Sequence, residues 1–192
     1  MPTNSDIIFG VNPVLEKLKA SRDDVLEILI VDGLHRKPLH LIRQQAQLYG
    51  LPVRSLDAKS LDRLTGGHGH QGVAARTRAY VYLTLEELLE EIPGEKSREW
   101  ILILDGLTDP RNFGALLRTA EAVGINYVII PKDRSVEVTP IVVKASAGAA
   151  LHLRIARVTN LRRAIENLKE HDFWIVGLDA KSQESIYKRT YP

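Results

Sequence analysis

Asp105, Asn112 and Arg118 fall within one stretch, WILILDGLTDPRNFGALLRTAEAVG (residues 100–124), and their types and spacing are those of a site. The stretch reads as a buried strand from Ile101 to Leu104, a polar turn closing on Asp109 and Pro110, and a helix from about Asn112. In open α/β sheets ligands bind where strands deliver their carboxyl ends, and Gly106 and Gly114 leave room there for close approach. An amide and a guanidinium in that position can hold a phosphate or stabilise developing negative charge. Plain structural roles are open to both. Asn112 can be the helix N-cap, and Arg118 can pair with Glu121 one turn along, a surface interaction worth little.

The elements that must position these residues continue in alternation. A strand runs from Tyr127 to Ile130 and stops at Pro131, a helix spans roughly Thr139 to Ala150, and LHLRIARV forms the next strand. Asn160 caps the helix LRRAIENLKEH, and FWIVGLDA (173–180) reads as the last strand. Such a β-α-β-α-β-α-β run calls for a parallel sheet with right-handed crossovers. Within KASAGAALH (144–152) the run of small residues reads as tight packing against the sheet or another subunit, the alternative being that Lys144 or Ser146 faces a substrate.

The first half alternates too. A short helix opens at Asn12 and Pro13, VLEILIV (25–31) is a strand, and PLHLIRQQAQLY (38–49) is a helix closed by Gly50. A strand from Val53 to Leu56, a helix from about Ala58 to Leu64, the loop TGGHGHQG and the strand VAART follow. This α-β-α-β-α-β pattern is enough for one small α/β domain, residues 1–78. Between the halves the charge changes sign: residues 79–99 hold two basic and six acidic side chains, against 11 and 8 in 1–78 and 13 and 10 in 100–192. The acidic segment reads as a linker, with TLEELLEEI a short helix capped by Thr84 and Glu87 and broken by Pro93-Gly94.

The glycine loop spells G-x-G-x-x-G at Gly67, Gly69 and Gly72, but it follows a helix and opens a strand, the reverse of a dinucleotide fingerprint. His68 and His70 form H-x-H without neighbouring Cys or carboxylates, a weak metal signal, so no metal is expected. Either the loop is simply flexible, or His70 and Gln71 offer donors to an RNA backbone or base. Arg76 and Arg78, two residues apart on one strand face, extend such a surface, and Lys132 and Arg134 in PKDRS are phosphate contacts at a strand end.

Composition sets the outer limits. The 192 residues are 44% hydrophobic, without an apolar run of membrane-spanning length or a basic-then-apolar leader at MPTNSDIIFG, so a soluble, cytoplasmic chain is expected. Zero cysteines exclude disulfides and thiolate metal sites. A net charge of +2 permits nucleic-acid binding without arguing for it.

Residue for residue, 100–124 resembles the first motif of the SpoU family of RNA ribose 2′-O-methyltransferases, within the SPOUT class. The His-Gln-Gly at 70–72, PKDRS at 131–135 and the Lys-x-x-x-Gly-Ala at 144–149 extend the likeness over nearly the whole chain, nearest to the enzymes that methylate a guanosine ribose in 23S rRNA. The resemblance implies a small ribosomal-protein-like RNA-binding α/β domain followed by a parallel-sheet α/β-knot methyltransferase domain, S-adenosyl-L-methionine as cofactor, ribosomal RNA as partner and a homodimer. It assigns the motif asparagine to Asn112 and the catalytic arginine to Arg118. Two later family motifs, which form the knot and hold the cofactor, belong beyond Tyr191. The chain is thus expected to stop short of the knot, and the cofactor-binding residues are expected beyond Pro192. Two other readings stand beside it: a non-catalytic RNA-binding module, and a tRNA ribose methyltransferase. A nucleotide-dependent enzyme is disfavoured, since there is no G-x-x-x-x-G-K-[ST] loop.

Overall fold

The computed structural model describes residues 5–67, 69–92, 99–179, 181–182 and 185–188. The first half is a mixed four-stranded sheet ordered β1-β4-β2-β3, built from β1 (Ser5–Phe9), β2 (Val25–Val31), β3 (Val53–Leu56) and β4 (Val73–Arg78). Helices α1 (Val11–Ala20), α2 (Lys37–Leu48) and α3 (Ala58–Thr65) connect them. β1 is absent from the sequence reading. Its apolar triplet Ile7, Ile8, Phe9 is too short for a period, and what makes it a strand is an antiparallel ladder to β4 that pairs Ser5 with Arg78.

The second half is the expected parallel sheet, ordered β5-β6-β7 from β5 (Ile101–Ile103), β6 (Tyr127–Pro131) and β7 (Arg154–Val158). Central β6 is buried from Tyr127 to Ile130, as a parallel strand covered on both faces must be, whereas β5 is half-exposed along its length. The expected strand FWIVGLDA is not one. Residues 173–179 carry no ladder, although Phe173 and Ile175 tuck against the core while Trp174 and Val176 face outward, and Ala180 lies outside the described residues. Alternation alone supplies a two-sided ribbon; a strand also needs an edge to pair with.

Helix caps follow the sequence closely. Asn160 accepts from Arg163 N at 3.0 Å at the start of α7 (Leu161–Glu170), and Thr84 and Glu87 form a reciprocal capping box on α4 (Leu85–Glu91). The acidic stretch read as a linker is packed up to Ile92. Leu83 bridges to Ala156 beside β7, Leu85 and Leu88 are buried, and the Tyr80 hydroxyl donates to Leu153 O at 3.0 Å. Arg154 holds α4 from the other side through two hydrogen bonds to the Glu91 carboxylate. Residues 93–98, with the Pro93-Gly94 break, lie outside the described residues.

The expected helix from Thr139 to Ala150 is shorter. Helix α6 spans Pro140–Ala145, then Ala147 and Gly148 take positive φ and Ala149–Leu151 form a single 3-10 turn. The small residues there serve packing, against two other helices. On α5 (Pro110–Ala122), a carbon added to Gly114 would meet Ala145 Cβ at 2.5 Å and Ser146 N at 2.9 Å. One added to Gly148 would meet Glu16 Cβ on α1 at 2.7 Å. Ser146 is buried, donating to Val143 O and accepting from Ala150 N, which answers the alternative that it faces a substrate. The main core runs continuously through both halves, from Ile8, Val14 and Ile30 to Phe113, Leu117, Val128 and Val142.

Two outcomes follow from these contacts. Gly114→Ala gains helix propensity but forces backbone atoms of α6 away, so it lowers stability by about 1–2 kcal/mol net, read as a lower urea midpoint at unchanged slope. Hydrogen bonds from Arg154 hold the Glu91 carboxyl below its ordinary value of 4.5. With the folded value depressed, the pair's contribution is complete above the unfolded-state value and is lost as pH falls through the folded one. Wild type is therefore more stable than Glu91→Gln at neutral pH, and the difference closes below about pH 4 in acid-unfolding curves.

Candidate functional site

The site is built on α5, which leaves the carboxyl end of β5 through the turn 104–109. The Asp109 side chain accepts from Asn112 N at 2.7 Å, and Pro110 sits at the first helical position. Asp109, not Asn112, is thus the N-cap. This displaces the structural role that sequence allowed for Asn112, whose side chain is exposed with no hydrogen-bond partner among the described residues. The inward face of α5 buries Phe113, Gly114, Leu117 and Ala120. Arg118 is on the exposed face and makes no ion pair with Glu121 or any other described residue. Both polar groups are held by a rigid helix and spoken for by nothing around them.

Helical spacing adds a residue that the sequence reading passed over. Arg111 stands seven positions before Arg118, two turns away on the same stripe, with only Ala115 between them, and it too is exposed and unpaired among the described residues. The i, i+4, i+7 pattern of Arg111, Ala115 and Arg118 was the available signal. Neighbouring loops close the strand ends: Val136 N donates to Leu107 O at 2.8 Å, tying the turn after β6 to the turn after β5. Lys132 and Arg134 are exposed in that turn with unpaired side chains among the described residues, and Arg134 adopts φ 56°.

The residues expected to bind RNA in the first half are differently occupied. His70 uses both ring nitrogens, Nδ1 accepting from Gly72 N at 2.9 Å and Nε2 lying 3.1 Å from an Asp62 carboxylate oxygen. Gln71 reaches across the domain, its Oε1 accepting from Val11 N at 3.0 Å; Gly10, at the N-cap of α1, has no side chain to do so. Arg76 is paired with Glu27 at 2.9 Å, and Arg78 lies 3.9 Å from Asp24, which Lys17 also holds at 2.8 Å. His68 lies outside the described residues. The loop itself is seated on the second half: Lys144 donates to Gly69 O and stands 4.9 Å above the Phe9 ring, and burial pushes its ammonium below the ordinary lysine range.

Whether these residues fit a cofactor of nucleoside size is decided by the walls around the strand ends. Ser135 Oγ is the buried side-chain oxygen there without a partner among the described residues, a single hydroxyl. A nucleoside cofactor needs a cleft that buries most of its surface. Here β5 pairs only with β6, so one side of the crevice stays open, and 173–179 does not close it. The described residues supply one wall of such a site and not an enclosure. The cofactor-binding residues are expected beyond Pro192, and residues 189–192 lie outside the described residues.

The comparisons with known proteins agree with this geometry. Residues 99–192 match the SpoU rRNA Methylase family, and residues 7–83 match the family described as RNA 2′-O ribose methyltransferase substrate binding. The chain is 38% identical over 185 residues to the 23S rRNA (guanosine-2′-O-)-methyltransferase RlmB of Haemophilus influenzae, covering 96% of this chain and 75% of that one. It is 40% identical over 190 residues to RlmB of Xanthomonas axonopodis pv. citri, covering 97% and 75%. Among solved structures, an rRNA methyltransferase from Sinorhizobium meliloti superposes with a TM-score of 0.67 at 21% identity, covering 88% of this chain and 60% of that chain. The SpoU methyltransferase AviRb from Streptomyces viridochromogenes, in complex with AdoMet, gives 0.66 at 19%, again over 88% and 60%. The chain therefore spans about three-quarters of the curated relatives and about 60% of the solved structures. With both halves matched in order and identity sustained along nearly its whole length, this chain belongs to the SpoU family of RNA methylases.

Proposed function

We propose that the chain carries the RNA-holding half and the catalytic helix of an S-adenosyl-L-methionine-dependent methyltransferase that modifies a ribose 2′-hydroxyl in RNA, a guanosine of 23S rRNA. The observation that carries this reading is Arg118: a guanidinium fixed on the outward face of a rigidly packed helix, unpaired among the described residues, in a chain of the SpoU family. Identity to enzymes named for guanosine-2′-O methylation of 23S rRNA, at 38–40%, supports the substrate. In this reading residues 1–78 hold RNA, 79–99 connect and 100–192 act on it, a division supported by the family matches over 7–83 and 99–192.

A ribose 2′-hydroxyl is a weak acid and a weak nucleophile, so the protein has to place it in line and stabilise the charge that develops as its proton leaves. Arg118 supplies that stabilisation and grips the adjacent phosphate with the same planar fork, while the free amide of Asn112 orients the ribose. Arg111, Lys132 and Arg134 add phosphate contacts around the strand ends. The cofactor contributes the methyl group. The proposal extends to a cytoplasmic homodimer, for which exposed Trp100, Leu116 and Val123 offer apolar surface.

The test is transfer of labelled methyl from S-adenosyl-L-methionine to a 23S rRNA fragment, with the label mapped to a guanosine 2′-oxygen. Arg118→Ala lowers turnover by about 100-fold or more with little change in melting temperature, since the side chain is exposed. Arg118→Lys does not rescue it, because lysine keeps the charge and loses the fork. The assay uses a protein that also carries the two later family motifs, and salt-dependent RNA binding there without label transfer would instead support a binding module without chemistry.

A further inference from the structure

The cations that the first half leaves unpaired are not those of the glycine loop and β4. Residues 33–56 contain Arg36, Lys37, Arg43 and Arg54 together with His35 and His40, and not one Asp or Glu. The whole chain carries +2, so this single segment at +4 leaves everything else net acidic. All six side chains are exposed, and none has an ion-pair or hydrogen-bond partner among the described residues. Arg76 and Arg78, by contrast, each lie beside a carboxylate.

Helix α2 explains how the charges come to share a surface. Leu39, Ile42 and Ala46 face the core. Arg36, His40 and Arg43 follow at i, i+4, i+7 and form one stripe beside that buried face, which Gln47 continues; Lys37 and Gln44 stand on the next stripe outward. Cations at the start of a helix oppose its dipole, so Arg36 and Lys37 are there at some cost to the helix. A patch rich in cationic donors and without a carboxylate, whose one Tyr (Tyr49, at the far end of α2) already lies under the Arg22 guanidinium at 4.9 Å, suits a phosphate backbone better than unstacked bases. The patch also adjoins the rest of the machinery. Leu34 and Leu39, at the start of α2, pack against Gly72, whose loop meets Lys144 of α6, and α6 in turn packs against Gly114 of α5.

We propose that the exposed face of α2, through Arg36, Lys37, His40 and Arg43, is the surface on which the first half docks the sugar–phosphate backbone of a structured RNA, and that it reads no base sequence. This rests on the reading of RNA as the substrate and assigns that role to α2 in place of the loop and β4.

The experiment compares the full chain with the triple variant Arg36→Gln, Lys37→Gln, Arg43→Gln and with the double variant Arg76→Gln, Arg78→Gln. Each is titrated with a 23S rRNA fragment and with an RNA hairpin of unrelated sequence across a salt series, after a thermal melt confirms folding. A single Arg43→Gln, which leaves the first turn of α2 untouched, serves if the triple variant is unfolded. The triple variant is expected to bind both RNAs about 10- to 100-fold more weakly near 0.1 M salt, with a log–log salt slope shallower by about 2–3; the single variant shows a slope change of about 0.7–0.9. The double variant stays within about threefold of wild type. Unchanged affinity in the α2 variants, or a loss confined to the 23S fragment, would overturn the proposal while leaving the RNA reading standing. Unchanged RNA affinity with weakened binding to polyglutamate would give the face to an acidic protein and overturn it as well. Wild type with no salt-dependent affinity for either RNA would sink the RNA reading itself.

Discussion

The approach of α5 to α6 at Gly114 is the constraint on which the site depends. With no side chain at that position, Ala145 and the backbone at Ser146 come within the distance of a missing carbon. The contact fixes the rotation of α5 about its axis: Phe113 and Leu117 go inward, to complete burial. Everything at the other phases, including Arg111, Asn112 and Arg118, is then turned outward without needing a partner to hold it there. Rigidity supplied from behind lets these candidate side chains stay unpaired, among the described residues, in front.

The same economy governs the charges. Several cations that hold the fold together are matched, Arg154 with Glu91, Lys17 with Asp24 and Arg76 with Glu27, and a His152 ring nitrogen lies 2.9 Å from the Glu16 carboxylate across the two halves. Burial opposes the Glu16 charge, but hydrogen bonds from Lys19 and His152 outweigh it and keep that carboxyl below its ordinary value. Two groups of cations without such duties stand out, one on α5 and the strand-end turns of the second half and one on helix α2. A total of +2 conceals this partition, because attraction to a polyanion depends on where unpaired charge lies and not on its sum.

Much of the fold was legible because its signals are local. Apolar runs, the caps at Thr84 and Asn160, and the left-handed closing glycine at 50 each depend on a few adjacent residues. What escaped is non-local. β1 exists through a partner some seventy residues away, and 173–179 has the alternation of a strand but pairs with no edge of the sheet. Gln71 looks like a free amide in a glycine loop, and only the closed domain shows it completing the first turn of α1. For helix α5, the motif pointed to Asn112 and Arg118, and it took the structure to show that Asp109 is the cap and that Arg118 makes no contact with Glu121 among the described residues.

The position of β1 bears on how the chain is made. Of the four strands in the first sheet it emerges first, yet its sole neighbour is β4, the last of them. At roughly 5–20 residues per second, several seconds of synthesis separate the two. During that interval Ile7, Ile8 and Phe9 have no ladder to join, and the N-terminus of α1 waits on Gln71 for its missing acceptor. The first sheet is therefore completed late, and the β1–β4 pairing between its two ends raises the contact order of the first half.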